Sequence, residues 1–369
     1  MSLEGLGREP PARPPPSAFG TTVSSVPVEA MEGGGKYNAA STAQAAAGDV
    51  ALPQLSRAAG TIPAGAAAVV IADYGASQGV NSLRPVSLAI DTIRDGAPDR
   101  EILVVHTDLP SNDFGTLLTT VDSDPGSYRR DGVYTTVVGR SFYEQLLPDS
   151  SVWLGWSSIA LHWLSRVPGP LDGFWYASGS AEQRAVWQSS AAADWQQFLT
   201  ARHRELRPGG RLVVVVGAAR PDGTSGAEPA MALVQDGVDG MVDDGLLSPA
   251  ERTQMAVPAW YRTEPEWRAP FGDGRLALEE LRFASLGDPL WTDASESRSG
   301  PRHEIYARAV AAALRASFGP SLLSGIPSAS KDDIATELFD RRVYESVRAA
   351  TRPLFDWYLA VLTIASPSR

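Results

Sequence analysis

Apolar and polar positions along the chain repeat with two different periods, and the alternation of these periods predicts an α/β protein. Uniformly apolar or β-branched runs, typical of strands buried on both faces, occupy residues 66–72, 101–108, 133–139, 151–156 and 211–218. Amphipathic stretches that predict helices occupy residues 82–94, about 112–121 and 181–207. Strands that alternate with helices are typical of a Rossmann-like parallel sheet with helices on both faces.

The pattern changes near residue 221, where helical periodicity becomes dominant and prolines interrupt it. We interpret residues 29–220 as a ligand-binding core and residues 221–330 as a mainly helical cap, in which 276–286 returns to the sheet. Residues 331–369 are predicted to be C-terminal helices that complete the core. Residues 1–28 are rich in proline and poor in large apolar side chains, so we expect them to be disordered.

Composition narrows the class of protein. The formal net charge of -11 argues against a basic nucleic-acid-binding face, and it makes anionic membranes poor partners. The chain has no cysteine and no apolar run as long as a membrane span, so we expect a cytoplasmic protein. Basic charge is carried almost entirely by arginine, a pattern that fits a GC-rich bacterial genome.

The first strand ends in the acid Asp73, and a turn bracketed by Gly75 and Gly79 follows, with Asn81 opening the next helix. Glycines at such positions let the backbone turn tightly and approach a ligand closely. The spacing departs from the G-x-G-x-x-G fingerprint of dinucleotide sites, which argues against an oxidoreductase. An acid before the glycines is typical of an S-adenosylmethionine (SAM) site, although a turn without a ligand would look similar.

A second acid, Asp108, ends the second strand. Two acids at the ends of neighbouring parallel strands suit a nucleoside site, because one can serve a charged amino-acid end and the other can accept both ribose hydroxyls. Asn112 and Asp113, just beyond, read as helix N-caps. Ser141 and Phe142, at another strand end, could hydrogen-bond and stack on a purine.

Two further polar sets have alternative interpretations. Helical spacing places Tyr37, Ser41 and Gln44 on one face beside a glycine segment, where they could close over a ligand or form a polar outer face. His162 and Trp163 carry adjacent ring N–H groups in an apolar run, and such a pair could equally belong to the core.

The order of these segments resembles the SABATH family of SAM-dependent methyltransferases, which methylate small carboxylic acids and, in one branch, purine-alkaloid nitrogens. The family pattern D-L-G-C-S-S-G-P-N is similar to the run from Asp73 to Asn81, and N-D-L-P-x-N-D-F is similar to the run from Thr107 to Phe114. The other motifs that resemble the family are the opening Met31, Gly33, Gly34, Tyr37, Ser41 and Gln44, then Arg140 to Pro148, Ser157 to Pro168, and Met241 to Leu246.

This resemblance implies a SAM-dependent carboxyl methyltransferase that releases S-adenosylhomocysteine. The cofactor would be held by Tyr37, Ser41, Gln44, Asp73, Gly75, Asn81, Asp108, Leu109, Ser141 and Phe142. Gln44 and Trp163 would hydrogen-bond the substrate carboxylate, with His162 beside them as the third member of the catalytic set. A carboxylic acid is already ionised at neutral pH, so its methylation needs orientation and no general base.

Positions at which the sequence departs from the family pattern lead to more specific predictions about the substrate and about metal binding. Ile159 and Met231 stand where the family often has aromatic residues, so we expect both to line the substrate pocket and to favour an aliphatic or fatty acid. The segment aligned with a proposed magnesium site offers no carboxylate, so we predict no metal. Members of the family are often dimeric, so a homodimer is expected. The alternatives are an N-methyltransferase that uses His162 as a base, and a non-catalytic SAM-binding protein.

Overall fold

The computed structural model describes residues 28–66, 68–291 and 301–368. Seven strands form one sheet in the order β3-β2-β1-β4-β5-β7-β6. The strands are β1 (Ala68–Tyr74), β2 (Glu101–Asp108), β3 (Val133–Gly139), β4 (Val152–Ser158), β5 (Leu206–Gly217), β6 (Ala277–Gly287) and β7 (Asp356–Ala365). The first five run parallel, and β7 runs antiparallel to both β5 and β6. The predicted Rossmann-like α/β sheet is therefore confirmed.

Helices cover both faces of this sheet. Those in the first half of the chain are α1 (Lys36–Ala40), α2 (Thr42–Asp49), α3 (Leu52–Ala59), α4 (Val80–Asp95), α5 (Phe114–Ser123) and α6 (Ala181–Glu205). On one face, Leu55 and Ile90 of α3 and α4 pack against Ile71 of β1. On the other face, Trp195 and Phe198 of α6 pack against the sheet. Asp113 caps α5 as predicted, because its side chain accepts a hydrogen bond from the backbone N–H of Thr116.

The second half of the chain is mainly helical and builds a separate apolar core above the sheet. Its helices are α7 (Glu228–Asp243), α8 (Pro249–Arg252), α9 (Glu264–Arg268), α10 (Pro301–Leu322), α11 (Ser328–Ala335) and α12 (Tyr344–Ala349), with a π-helical segment Thr336–Val343 between the last two. The segment predicted to return to the sheet forms β6. We call the helices from α7 to α12 and their connections the cap.

Three local predictions were wrong. The C-terminal stretch was predicted to be helical, but Asp356–Ala365 is a strand, because its unbroken run of β-branched and apolar residues fills the gap between β5 and β6. The helix predicted over Tyr37–Gln44 breaks at Ser41 into α1 and α2. The Pro-Gly-Gly segment at 208–210 lies within β5 and does not precede it, with a register shift opposite Val152–Leu154.

The proline-rich segment that we predicted to be disordered includes residues 1–27, which lie outside the described residues. The domain boundaries remain predictions. Within the described ranges, no helix is long and apolar enough to cross a membrane. The same ranges contain no cluster of three or more His, Asp or Glu side chains that could hold a metal ion.

Candidate active site

The carboxyl ends of β1, β2, β3 and β4 meet at one edge of the sheet, and the turns that follow them line a group of adjoining cavities. The chain reverses its direction of strand addition between β1 and β4. Open α/β sheets bind ligands at such a switch point. The topology therefore brings together residues that are up to about 90 positions apart in these turns.

The first cavity, of about 880 Å³, contains the second predicted acid. One oxygen of Asp108 accepts a hydrogen bond from the backbone N–H of Ser77 at 2.7 Å, and the other accepts one from the N–H of Leu109 at 2.8 Å. Burial is the main cause that raises the pKa of Asp108 to about 6, and the neighbouring Asp73 is a smaller one. Gly75, Leu109, Ser141 and Phe142, all predicted for the cofactor, line this same cavity. We call it the nucleoside cavity.

A smaller cavity, of about 350 Å³, lies beside the first and contains Asp73, Asn81 and Gln44. Asp73 is buried, and its Oδ2 accepts hydrogen bonds from the Ser82 hydroxyl at 2.6 Å and from His106 Nδ1 at 2.8 Å. Tyr37 reaches this cavity too, and burial raises the pKa of the Tyr37 hydroxyl above its ordinary value. We call it the amino-acid cavity.

Gly75 lines both cavities beside the turn that follows β4 and has a left-handed φ of 89°. A Cβ atom there would lie 2.5 Å from the Cβ of Ala160, a distance that side chains do not tolerate. The glycine is therefore required both by conformation and by space: its positive φ agrees with the predicted tight turn, and the group that it approaches closely is Ala160.

The third cavity lies between the sheet edge and the cap and has about 750 Å³, a volume that includes space open to solvent. Its wall is largely apolar and aromatic, formed among others by Tyr261, Leu314, Phe318 and Trp357. No lysine or arginine is found among the described residues that line any of the three cavities. We call this third space the acceptor cavity.

Four of the predicted residues join the acceptor cavity to the other two. Tyr37 lines all three cavities, Gln44 lines the acceptor and amino-acid cavities, and Ile159 and Trp163 line the acceptor and nucleoside cavities. Ile159 has a φ of 51°, and left-handed backbone in a β-branched residue is a genuine outlier. Such strain clusters at functional sites, where surrounding contacts enforce it; here the Ile159 N–H donates to the Val215 carbonyl at 2.8 Å.

His162 lies beside this junction and lines the acceptor cavity. Its ring stacks on Tyr261, with 5.3 Å between centroids and 7° between planes. Burial, and to a smaller extent the Arg262 cation, lowers the pKa of His162 to about 3. The imidazole is therefore neutral at physiological pH and only weakly basic.

Two predicted site residues lie elsewhere. Ser41 is buried, its hydroxyl donates to the Asn38 carbonyl at 3.4 Å, and it lines none of the three cavities described above. Met231 is on α7 and packs into the cap core, and it too is not among the residues that line the three cavities. The wrong placement of Met231 has a physical reason: helical periodicity identifies an apolar face, and that face packs against the cap's own helices.

Sequence reasoning also missed several residues. The Gln44 amide Nε2 lies 3.0 Å from the hydroxyl of Ser317, a buried residue on α10 that lines the acceptor cavity. Tyr261, Trp357 and Tyr358 line the same cavity from the cap and β7. No local motif marks them, because they reach the site only through the long-range packing of the cap on the sheet.

The residues present fit a cationic nucleoside. Three buried or half-buried carboxylates, those of Asp73, Asp108 and Glu29, line adjoining cavities with no basic side chain in the described walls to neutralise them, so the site favours a positively charged ligand. Ser77 and Gln44 line these cavities, and the Ser77 hydroxyl and the Gln44 Oε1 are buried without a hydrogen-bond partner among the described residues. Buried polar atoms without partners are rare in proteins and indicate an absent ligand or water.

Sheet order, glycine turn and paired acids together define the class of SAM-dependent methyltransferases. A family model described as "SAM dependent carboxyl methyltransferase" matches residues 27–359. The chain belongs to this family, and the resemblance to the SABATH methyltransferases is confirmed, as is SAM as the family's cofactor.

Individual relatives agree with this assignment. Methyltransferase LUC1 from a Fusarium species is 32% identical over 242 residues, which are 63% of this chain and 64% of that protein, so the match spans less than two thirds of the relative. Salicylate carboxymethyltransferase from Clarkia breweri is 26% identical over 283 residues, 72% of this chain and 77% of that one. A solved structure of loganic acid methyltransferase with SAH has the same fold, with a TM-score of 0.67 at 20% identity, covering 92% of this chain and 99% of that chain.

Proposed function

We propose that this chain transfers the methyl group of SAM to the carboxylate of a small hydrophobic acid and releases a methyl ester. The observation that carries the proposal is the junction itself: Tyr37, Gln44, Ile159 and Trp163 line the acceptor cavity and at least one of the two cofactor cavities. A group bound in one cavity and an acid bound in the other would therefore meet at these side chains.

Asp108 would accept the ribose hydroxyls and Asp73 the charged amino-acid end, as their hydrogen-bonding geometry and separate cavities support. Gly75, Ser141 and Phe142 would enclose the nucleoside. SAM, when bound, supplies the methyl group on a sulfonium that leaves as S-adenosylhomocysteine.

Gln44 and Trp163 would hold the acid. Both side chains offer a neutral N–H, so they can orient a carboxylate oxygen without the strong ground-state stabilisation that a lysine or arginine would give. Ser317 holds the Gln44 amide at 3.0 Å and so restricts its rotation. The apolar wall removes water from the anion, which leaves one oxygen free to attack. Proximity and orientation of this kind contribute about 7–11 kcal/mol at the ideal limit.

Neutral His162 distinguishes this proposal from N-methylation. A heterocyclic nitrogen that carries a proton needs a base, and a histidine with a pKa of about 3 removes protons poorly at neutral pH. An ionised carboxylate needs no base. We therefore assign His162 a place in the wall beside Trp163, where its ring packs at 5.4 Å between centroids.

The acid we propose has an aliphatic body next to its carboxylate. Ile159 supports this choice because it presents a branched aliphatic side chain at the junction. Met231, the second residue that suggested an aliphatic acid, packs in the cap core and supports no choice of acid. The cytoplasmic location, the homodimer and the bacterial origin remain predictions; the two relatives described above come from a fungus and a plant.

The test is an acceptor panel with methyl-labelled SAM. Purified protein is incubated with octanoate-class and benzoate-class acids, and base-labile methyl ester is measured against a boiled-enzyme control. We expect ester from octanoate-class acids. Preference for benzoate or salicylate would reject the aliphatic acceptor alone, and label transfer to nitrogen heterocycles with no ester from any acid would reject carboxyl methylation.

A further inference from the structure

A buried chain of hydrogen bonds runs from the first acid of the site to the edge of the sheet. Asp73 Oδ2 lies 2.8 Å from His106 Nδ1, and His106 Nε2 lies 2.6 Å from the Tyr128 hydroxyl. The Tyr128 hydroxyl lies 3.1 Å from Thr135 Oγ1 on β3. Asp73, His106 and Tyr128 are all almost fully buried, with exposed fractions of 2%, 0% and 0%.

The direction of these hydrogen bonds follows from the chemistry of the groups. An ionised carboxylate only accepts, so His106 Nδ1 carries the hydrogen and donates to Asp73. Burial is the main cause that raises the pKa of the Tyr128 hydroxyl, which keeps this hydroxyl protonated as a donor. With Nδ1 as the donor, Nε2 can accept the hydrogen bond of the Tyr128 hydroxyl, and the Thr135 hydroxyl can donate to Tyr128. Each member of the chain is thereby satisfied.

The two carboxylate oxygens of Asp73 therefore differ in the hydrogen bonds that they accept. Oδ2 receives both the Ser82 hydroxyl and His106 Nδ1, at 2.6 and 2.8 Å. Oδ1 receives no hydrogen bond from the described residues, while Asp73 lines the amino-acid cavity. A carboxylate held through one oxygen cannot rotate, so the other oxygen keeps a constant direction.

We propose that His106 and Tyr128 are positioning residues for the cofactor, which hold Asp73 so that its Oδ1 receives the ammonium group of the SAM amino-acid end. The inference rests on the proposed function, because it takes Asp73 as the cofactor's partner. It adds residues that none of the family motifs quoted above includes. His106 faces Asp73 because the two residues are register partners on β2 and β1.

Because the two acids line separate cavities, ligand binding can distinguish a positioning role of His106 and Tyr128 from a merely structural one. Asp73 lines the amino-acid cavity and Asp108 lines the nucleoside cavity. SAM and S-adenosylhomocysteine carry the amino-acid end, whereas 5′-methylthioadenosine keeps the adenosine and lacks that end. A defect transmitted through Asp73 should therefore weaken binding of the first two ligands and spare the third.

The experiment measures the Kd of these three ligands by calorimetry for the full chain and for H106L, H106N and Y128F. Leucine removes the donor, while the asparagine amide can donate from nearly the same place as Nδ1. We expect H106L to weaken binding of SAM and S-adenosylhomocysteine about 10–100-fold, as for hydrogen bonds to charged groups. H106N should recover binding to within about threefold, Y128F should weaken it less than H106L, and methylthioadenosine should change less than twofold throughout.

Two controls separate failure of this inference from failure of the proposed function. D73N should weaken SAM at least as much as H106L, and the thermal midpoint of each variant reports folding. Wild-type protein that binds SAM, with H106L either without effect or equally weak for all three ligands, would overturn the positioning role alone. Absence of SAM binding by the wild-type protein would overturn the proposed function and this inference with it.

Discussion

The cofactor cavities and the acceptor cavity adjoin each other but are built in opposite ways. The nucleoside and amino-acid cavities have mixed polar and apolar walls, carry the acids Glu29, Asp73 and Asp108, and are formed mainly by turns at the ends of consecutive parallel strands. The acceptor cavity is apolar and aromatic, and much of its wall comes from α10, β7 and other parts of the second half of the chain. The first kind of site depends on local sequence, and the second depends on how distant segments pack.

Under the proposed function, this difference would separate recognition of the cofactor from selection of the acid. Charge and hydrogen bonds determine binding at the strand ends, where a missing partner leaves a buried group unsatisfied. Shape and apolar contact determine binding in the acceptor cavity, where each methylene group changes discrimination by about 1–3 kcal/mol. Variants on the two sides of the junction should therefore change different measurements.

The largest effect should come from Asp108→Asn on the nucleoside side. The amide is neutral, and its NH2 group would face one of the two N–H groups, of Ser77 or of Leu109, that now donate to separate oxygens of the carboxylate. We expect the Kd of SAM, measured by calorimetry, to rise about 100–1,000-fold, since hydrogen bonds to charged groups contribute about 1.5–3 kcal/mol each. The exposed Asp122→Asn is the matched control and should leave the Kd unchanged; an equal loss in both variants would contradict the role of Asp108.

The next effect should come from Trp163→Phe at the junction. This substitution keeps a ring in the wall but removes the indole N–H. We expect kcat/KM for the acid, from initial rates at saturating SAM, to fall about 10–100-fold while the Kd of SAM changes less than twofold. Trp153→Phe on β4 lies outside the described cavity walls and is the control. A fall in SAM affinity of the same size would show that the two sides are not separate.

A pH dependence should appear on the nucleoside side. The pKa of Asp108 is raised from 3.8 to about 6 in the folded protein, so the carboxyl gains a proton as pH falls through 6. Binding of ribose hydroxyls to a carboxylate acceptor should then weaken, by about tenfold between pH 7 and pH 5. The same shift makes folding of the free protein less favourable as pH rises from about 4 to about 6, because the native state binds more protons there.

The measurement for this prediction is the Kd of SAM at pH 5, 6 and 7 for the wild type and for Asp108→Asn, whose side chain does not titrate. The variant should bind weakly but without the pH slope. A slope that persists in the variant would assign the titration to another group.

The smallest effects should distinguish the two residues first expected to select the acid. Ile159→Ala removes aliphatic surface from the junction, so the ratio of kcat/KM for octanoate-class over benzoate-class acids should fall about 3–10-fold. Met231→Leu conserves volume in the cap core and should leave that ratio within twofold, with a loss of stability below about 1.5 kcal/mol. An effect of Met231→Leu larger than that of Ile159→Ala would place the selecting wall on α7.

The extent to which the site was predictable follows the same division. That Asp73, Gly75, Asn81 and Asp108 line adjoining cavities could be expected, because strand, acid, glycine turn and helix are neighbours in the sequence and parallel strands bring their ends together. Ser317 and Trp357 could not, because their part in the wall arises from contacts across more than 150 residues.

The fold shows the same limit. The order of strands and helices in the first 220 residues follows from periodicity, whereas the last strand was mistaken for a helix. A short apolar run such as Asp356–Ala365 does not distinguish a buried strand from a buried helix until its partners, β5 and β6, are known. His106 was also missed. The sequence alone does not show which group a polar side chain inside a strand contacts, and the register partner of His106, Asp73, is known only from the sheet pairing.

The most direct test of the account is a crystal structure with S-adenosylhomocysteine and an octanoate-class acid bound together. The account predicts the nucleoside against Asp108 and one carboxylate with both Gln44 Nε2 and Trp163 Nε1 within about 2.7–3.2 Å of its oxygens. An acid bound with both of these donors out of hydrogen-bonding reach of its carboxylate would contradict it.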